Sequence, residues 1–385
     1  MHEELDRRAV LKGAVTLGGL AALGVPLWSM PALAQGEEMV PFTDIPSSFK
    51  PGVTGGTGLY YSDTREIDSF YTDNDDFYIV QHYGRPDVDA VSHRLKISGL
   101  VDKPRAYSLA DLKAMEAIES DVGFECGGNQ TALLHALAGN ARWKGVALST
   151  LMKDWGIQPE GTEVVFFGAD SGEEEVRRAT VDMKFARSLS IADASRPGIM
   201  IAYEMNGEPL PHAHGGPIRL VVPGSYGIAN VKWLDRIHFQ NTRWMGRFMA
   251  KDYVTLREHK VGDEMQWTMD SVSKILLKSV VVRVTRSGDH CTVTGFALND
   301  GTPLAKVEVK VDNGPWQEAV IDPQSSDSSW KLFRYTWNKP RRGEHTIVSR
   351  ATDINGQVQQ TQAEVPKKVT YWENPGQWPR TVRIS

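Results

Sequence analysis

This chain is poor in cysteine: its 385 residues contain two, Cys126 and Cys291. One disulfide is the most they can form, so no disulfide framework holds the fold, and a bridge between them would take Cys126 out of any chemistry. No Cys-x-x-Cys-His occurs, which excludes covalent attachment of a c-type haem to these residues. Beyond residue 34 no segment offers the ~20 consecutive apolar residues of a membrane-spanning helix. Excess positive charge is missing as well. The 43 Lys and Arg stand against 48 Asp and Glu, a formal net charge of −5, which argues against a nucleic-acid partner. There is no long internal repeat and no low-complexity tract. What remains is an ordinary globular composition, 41% hydrophobic and 24% charged, long enough to bury a sizeable core in two domains.

The first 34 residues stand apart. Asp6-Arg7-Arg8-Ala9-Val10-Leu11-Lys12 sets paired arginines before a weakly apolar, Gly- and Ala-rich stretch from Gly13 to about Leu27, and Ala32-Leu33-Ala34 offers a cleavage site. This reads as a bacterial export signal, the twin arginine favouring the Tat route. A membrane anchor is the other reading of such a segment, but the apolar run is shorter than a span of ~20 residues. The expectation is a soluble periplasmic chain. Tat carries folded proteins, which suits a cofactor inserted before export.

Residues 35–75, rich in Gly, Pro, Ser and Thr, read as an extended arm. Alternating stretches at Phe77-Tyr78-Ile79-Val80 and Arg94–Val101 predict strands. Ser108–Met115 reads as a short helix capped by Ser108, and Leu148–Trp155 as another capped by Ser149. Glu163–Phe167, between Gly161 and Gly168, reads as a strand, Val181–Leu189 as a helical segment, and Ile218–Val222 as a strand. Region 60–255 is thus mixed α+β, within a first domain spanning 35–262. The character changes after about residue 262. Ser279–Leu298, Ala305–Ile321 and Phe333–Asp353 alternate with period two between Asp-Asn-Gly, Pro-Arg-Arg-Gly and Asn-Gly turns. Residues 263–385 therefore read as an antiparallel β-sandwich.

Residues 203–236, YEMNGEPLPHAHGGPIRLVVPGSYGIANVKWLDR, are the richest stretch for chemistry, with two polar turns and a row of cationic groups. Cys126 lies in Phe124-Glu125-Cys126-Gly127-Gly128-Asn129. Flanking glycines leave the backbone open to a bulky ligand, and a thiolate is a soft ligand for a transition metal. A lone cysteine is otherwise most often an inert core residue. Cys291, next to His290 on a presumed strand, reads as core, because adjacent strand residues face opposite ways. His212 and His214 lack further ligands at zinc spacing.

The 203–236 stretch resembles the sulfite oxidase family of molybdenum enzymes, and most of residues 75–385 shares that resemblance. Family members carry Cys-Ala-Gly-Asn where this chain has Cys126-Gly127-Gly128-Asn129, and the cysteine binds molybdenum. The resemblance implies an α+β molybdopterin domain followed by an immunoglobulin-like β-sandwich that forms the homodimer. It makes Cys126 the metal ligand. His214, Arg219 and Lys232, spaced by five and thirteen residues, would hold the molybdopterin with its terminal phosphate. Asn230, Val231 and Asp170 would be further cofactor contacts. Tyr78-Ile79-Val80-Gln81-His82 matches the family's Phe-Val-Arg-Asn-His, bringing in Tyr78, Gln81 and His82. Asp252-Tyr253 resembles a pair whose tyrosine hydroxyl faces the metal. Cys126, Tyr253 and His82 are the expected catalytic set.

Two departures bear on the substrate. Sulfite is a dianion that the family grips with arginines, and those positions fall here on Val80 and, counting without gaps from Trp372, on Pro375. Arg65, Arg85, Arg247, Arg380 and Arg383 are the candidate replacements. The expected function is a periplasmic molybdenum sulfite dehydrogenase, resembling bacterial enzymes without a haem domain, that passes electrons to a separate c-type cytochrome. The alternatives are a sulfur dehydrogenase of a thiosulfate-oxidising complex and, in another class, a non-catalytic exported binding protein.

Overall fold

The structure, a computed structural model, describes residues 36–46, 49–54 and 58–385; the export signal read in residues 1–34 lies outside them. The period-two segments of the C-terminal third form strands. One sheet runs in the order Glu38–Met39, Lys278–Ser287, His290–Leu298, Lys331–Asn338, Val320–Ile321. A second runs Gln317–Glu318, Leu304–Val311, Gly343–Asp353, Arg380–Ile384. All neighbours in both are antiparallel. Alternate residues of the two sheets, among them Val284, Val293, Phe333, Val307, Ile347 and Val382, meet in one buried cluster, the two-layer arrangement that alternation demands. Cys291 is part of that core and His290 is not. Both cysteines are free thiols.

Residues 95–240 build two more five-stranded sheets. The first runs Arg105–Tyr107, Leu95–Gly99, Leu234–Gln240, Glu163–Val176, Ala179–Ser190, with Leu95–Gly99 and Leu234–Gln240 parallel. The second runs Glu208–Pro209, Met200–Met205, Ala138–Ala147, Ile118–Glu125, and Arg219–Val221 also pairs with Met200–Met205. Among the described residues, α-helix is confined to Leu109–Lys113, Leu148–Trp155, Ile191–Ala194 and Arg247–Ala250. The first unit is therefore mostly β, which corrects the expected α+β balance.

The largest correction is Val181–Leu189. It is strand, within Ala179–Ser190, because it folds back on Glu163–Val176 through a tight turn at Arg177 and Arg178, both at positive φ. That turn lacks the Asn-Gly or Asp-Gly signature of a two-residue hairpin, so nothing local marked it. Phe77–Val80 forms only an isolated bridge, Ile79 to Tyr60. Leu148–Trp155 is helical with Leu148, Leu151, Met152 and Trp155 buried along one face. Its N-cap is Ala147, with no side-chain cap from Ser149. Leu109–Lys113 keeps the expected Ser108 cap, as a full capping box with Asp111. The Ile218–Val222 strand shortens to Arg219–Val221.

Each end of the chain crosses to the other unit. Glu38–Met39 is an edge strand of the sandwich, and Phe42 bridges to Val382. Residues 367–373 leave the sandwich and run beside the two-stranded ribbon Val254–Val261/Glu264–Ser271, where Glu258 N donates to Lys367 O at 2.9 Å. They end with Trp372 stacked on Tyr253 at 4.2 Å between ring centres.

Candidate functional site

Cys126 follows directly on the strand Ile118–Glu125. Its N–H donates to Leu137 O at 2.9 Å, and its carbonyl accepts from Asn129 N at 2.9 Å, which closes a turn. The two glycines in that turn let other side chains pack closely over it. A Cβ on Gly127 would stand 2.8 Å from Val272 Cγ1, and one on Gly128 would stand 3.1 Å from the Trp372 ring. Asn129 Nδ2 donates to Glu125 Oε1 at 2.9 Å, and Lys278 of the sandwich reaches the same oxygen at 2.5 Å. Both charged groups are buried.

Cys126 lines a cavity that opens to solvent. Of the residues expected there from sequence, Tyr78, Gln81, His82, Cys126, Asp170, His214, Arg219, Asn230, Lys232 and Tyr253 line it. Val231 does not. Its side chain belongs to the adjacent core, its N–H donates to Ala229 O and its carbonyl accepts from Leu220. His212 turns away and bonds Pro86 O at 2.9 Å, so the His-x-His pair divides. Trp233, Gly227 and Ile228, all within the 203–236 stretch, also line the cavity, as does Phe185, to which no sequence motif points.

The cationic side is built by backbone. Arg219 donates to His214 O at 2.7 Å and to Asn230 O at 2.8 Å, while its Nε has no partner. Its guanidinium also lies over the Phe124 and Trp143 rings, 5.0 Å from each. The Asn230 side chain serves the turn itself, accepting from Val222 N at 2.7 Å. His214 Nε2 bonds Asn74 O at 2.7 Å. Lys232 donates one long hydrogen bond, to Ala213 O at 3.4 Å, and its ammonium lies 4.4 Å from the centre of the Trp233 ring. Burial, with Arg219 nearby, lowers Lys232 to about 7. Burial lowers His214 to about 4 and raises Asp170 to about 6, and Asp170 Oδ1 is unpartnered.

Also lining the cavity, His82 Nε2 and the Tyr253 hydroxyl are 2.8 Å apart. The His82 ring is open to the cavity on one side and packed against Phe185 and Phe248 on the other. Its low-dielectric surroundings, then the Lys232 charge, hold it at about 4, so it is neutral at pH 7. Burial pushes the Cys126 thiol up to about 11. A thiolate here therefore requires a cation to bind it.

The arginine candidates divide by place. Arg380 is buried in the sandwich against Asp44, Arg383 pairs with Glu344 on its surface, and Arg65 pairs with Asp63. Arg85 donates to the pocket residue Gln81 at 3.3 Å, and Arg247 binds Asp252 at 2.5 Å beside Tyr253. Val80 does face the cavity, whereas Pro375 is buried elsewhere with its carbonyl bonded to Gln359.

Residues 82–248 match the oxidoreductase molybdopterin binding domain. The chain is 30% identical over 328 residues to the mitochondrial sulfite oxidase of Drosophila melanogaster, covering 76% of this chain and 56% of that protein. It is 28% identical over 339 residues to the sulfite oxidase of Arabidopsis thaliana, covering 77% and 84%. The chain thus spans little more than half the length of the fly relative. The crystal structure of the sulfane dehydrogenase SoxCD from Paracoccus pantotrophus matches over 86% of this chain and 89% of that one, with a TM-score of 0.73 at 22% identity, which shows a shared fold. The cavity suits a molybdopterin. Cys126 offers one soft donor, which fits a metal whose other ligands come with an organic cofactor. The unpartnered Arg219 Nε and Asp170 Oδ1 await polar groups in a cavity where burial makes empty valences costly. The chain belongs to the sulfite oxidase family of molybdopterin enzymes, and its cofactor is molybdenum-molybdopterin.

Proposed function

We propose that this chain is a periplasmic sulfite dehydrogenase that converts sulfite and water to sulfate, two protons and two electrons, and passes the electrons singly to a c-type cytochrome. The observation that carries the reading is the cavity itself: one soft thiol, two imidazoles and two cationic side chains line a single space with unpartnered polar atoms. When bound, the molybdenum group supplies the two-electron redox centre, and the protein supplies orientation and electrostatics. Cys126 is the metal ligand. Arg219, Lys232 and His214 hold the anionic pterin phosphate, with Tyr78, Gln81, Asp170 and Asn230 around it. Tyr253 donates a hydrogen bond toward the substrate, and neutral His82 orients that hydroxyl by donating its Nε2–H to the phenol oxygen over their 2.8 Å contact. Arg85 and Arg247 take the part of the arginines absent at positions 80 and 375. The sandwich is the immunoglobulin-like unit through which two copies pair, and residues 1–34 direct export.

The deciding assay follows sulfite-dependent reduction of ferricyanide and of cytochrome c, with molybdenum quantified on the same sample. Turnover in proportion to molybdenum is the expected result. Full molybdenum without sulfite turnover would overturn the substrate assignment.

A second reading has one observation in its favour. The lysine and arginine side chains lining the cavity are Lys232 and Arg219, both assigned to the cofactor, and the expected third position is the apolar Val80. Such a mouth suits a less charged sulfur substrate, such as sulfane sulfur on a carrier protein. Oxidation of carrier-bound sulfane without oxidation of free sulfite separates the two.

Lys232 also makes cofactor retention depend on pH. Its ammonium, ordinarily near 10.5, is lowered by burial to about 7, and an anionic phosphate favours the protonated form. Binding therefore takes up a proton above pH 7, and affinity falls as pH rises toward 10. Molybdenum retained after dialysis should decline over that range, and Lys232→Arg should flatten the decline.

A further inference from the structure

The ring stack that begins in the cavity does not end there. Tyr253 lines the cavity and is 4% exposed, Trp372 lies on it at 4.2 Å, and Tyr371 follows at 4.0 Å with 57% of its surface in solvent. The same two rings rest on the turn that carries the thiol. A Cβ on Gly128 would stand 3.1 Å from Trp372 Cζ3 and 3.2 Å from Tyr371 Cε2. Three rings therefore connect the cavity to the surface in unbroken contact.

Around Tyr371 the surface is apolar. Met265, Trp267 and Met269 occupy alternate positions of the strand Glu264–Ser271 and so face one side. All three are exposed, at 58%, 47% and 66%. Leu256 pairs with Met269, and Val369, 67% exposed, donates its N–H to Leu256 O at 3.1 Å. Lys367 holds its ammonium 5.5 Å from the Trp267 ring. Methionine and aromatic side chains in a contiguous exposed patch mark an interaction surface.

We propose that Tyr253, Trp372 and Tyr371 form the route by which electrons leave the cavity, and that the Met265–Trp267–Met269–Tyr371 face docks a c-type cytochrome. The inference rests on the reading of this chain as a dehydrogenase. Two electrons arise per substrate and leave singly, so a one-electron acceptor has to meet the point where the ring stack reaches solvent. Each encounter takes one electron from the reduced cofactor and converts one ferric haem to ferrous. Two encounters complete a turnover, and the two protons go to solvent. The patch is small and flexible in side-chain type, which suits a short-lived electron-transfer complex.

The test uses the molybdenum-loaded protein, a soluble mono-haem cytochrome c as probe, and two variants, Tyr371→Ala and Trp267→Ser/Met269→Ser. Stopped-flow absorbance reads reduction of the cofactor by sulfite, then its reoxidation by ferric cytochrome c or by ferricyanide. Binding of ferric cytochrome c is measured separately. Both variants should leave sulfite-driven reduction and ferricyanide turnover within twofold and lower reoxidation by cytochrome c about tenfold. The patch variant should also weaken cytochrome binding. Unchanged cytochrome rates would overturn the proposal. So would an equal loss with both acceptors, or a patch variant that changes the sedimentation coefficient from dimer to monomer, which would make the face a self-interface. If sulfite fails to reduce the wild-type protein, the function reading fails by itself. The route is then tested on dithionite-reduced protein, where Tyr371→Ala should still slow reoxidation by cytochrome c.

Discussion

Cys126→Ser should lower turnover by at least about three orders of magnitude, roughly 4 kcal/mol of lost transition-state stabilisation. A serine hydroxyl is a hard, weakly acidic ligand where the metal takes a soft thiolate. The geometry sharpens the expectation. The thiol stands on a turn fixed by Leu137 O and Asn129 N, and no other cysteine, and no cluster of His, Cys, Asp or Glu among the described residues, is placed to take over. The fold should be undisturbed, since serine is smaller and the turn's bonds are made by backbone. Turnover is read with sulfite and ferricyanide, and the fold by far-UV circular dichroism. Full activity at normal molybdenum content would remove Cys126 from the metal's coordination.

Lys278→Met should be the most destabilising single change outside the hydrophobic core. It leaves Glu125 as a buried carboxylate whose second oxygen already lacks a partner. Breaking a buried pair by removing one charge costs about 3–5 kcal/mol. Glu125→Gln/Lys278→Met removes both charges and should recover a good part of that loss, because the penalty lies in the stranded ion rather than in a missing bond. Chemical denaturation of wild type, single and double variants makes the comparison. A single variant as stable as wild type would mean that the pair contributes nothing.

The legible parts of the chain were the local ones. Residues 203–236 carry His214, Arg219, Asn230 and Lys232 on one short strand and two turns, so their spacing in sequence is close to their arrangement in space. The sandwich was legible because alternation over Ser279–Leu298 and Phe333–Asp353 has one physical solution, a half-buried strand. Val181–Leu189 misled because its apolar residues suit either period, and its pairing with Glu163–Val176 decided the matter. The position of Val80 in the cavity was readable from its neighbours in Tyr78–His82. That of Pro375 was not, because the tail turns at Trp372, which faces Tyr253 instead. Lys278 lies 153 positions from Glu125 and left no local trace of their contact. Nor did Trp372, although two consecutive glycines after Cys126 hinted that something bulky lies above them.

The crossing of the chain ends has a consequence for the order of assembly in the cell. Trp372 and Glu373, which cover the turn at Gly127 and Gly128, come about 250 residues after Cys126. At ordinary rates of synthesis that interval lasts on the order of 10–50 s. The cationic wall is complete once Lys232 is made, about 140 residues before Trp372, so only in the later part of that interval do thiol and wall exist together without their roof. Closure over that turn therefore waits on residues 371–373, which are made after every residue that lines the cavity.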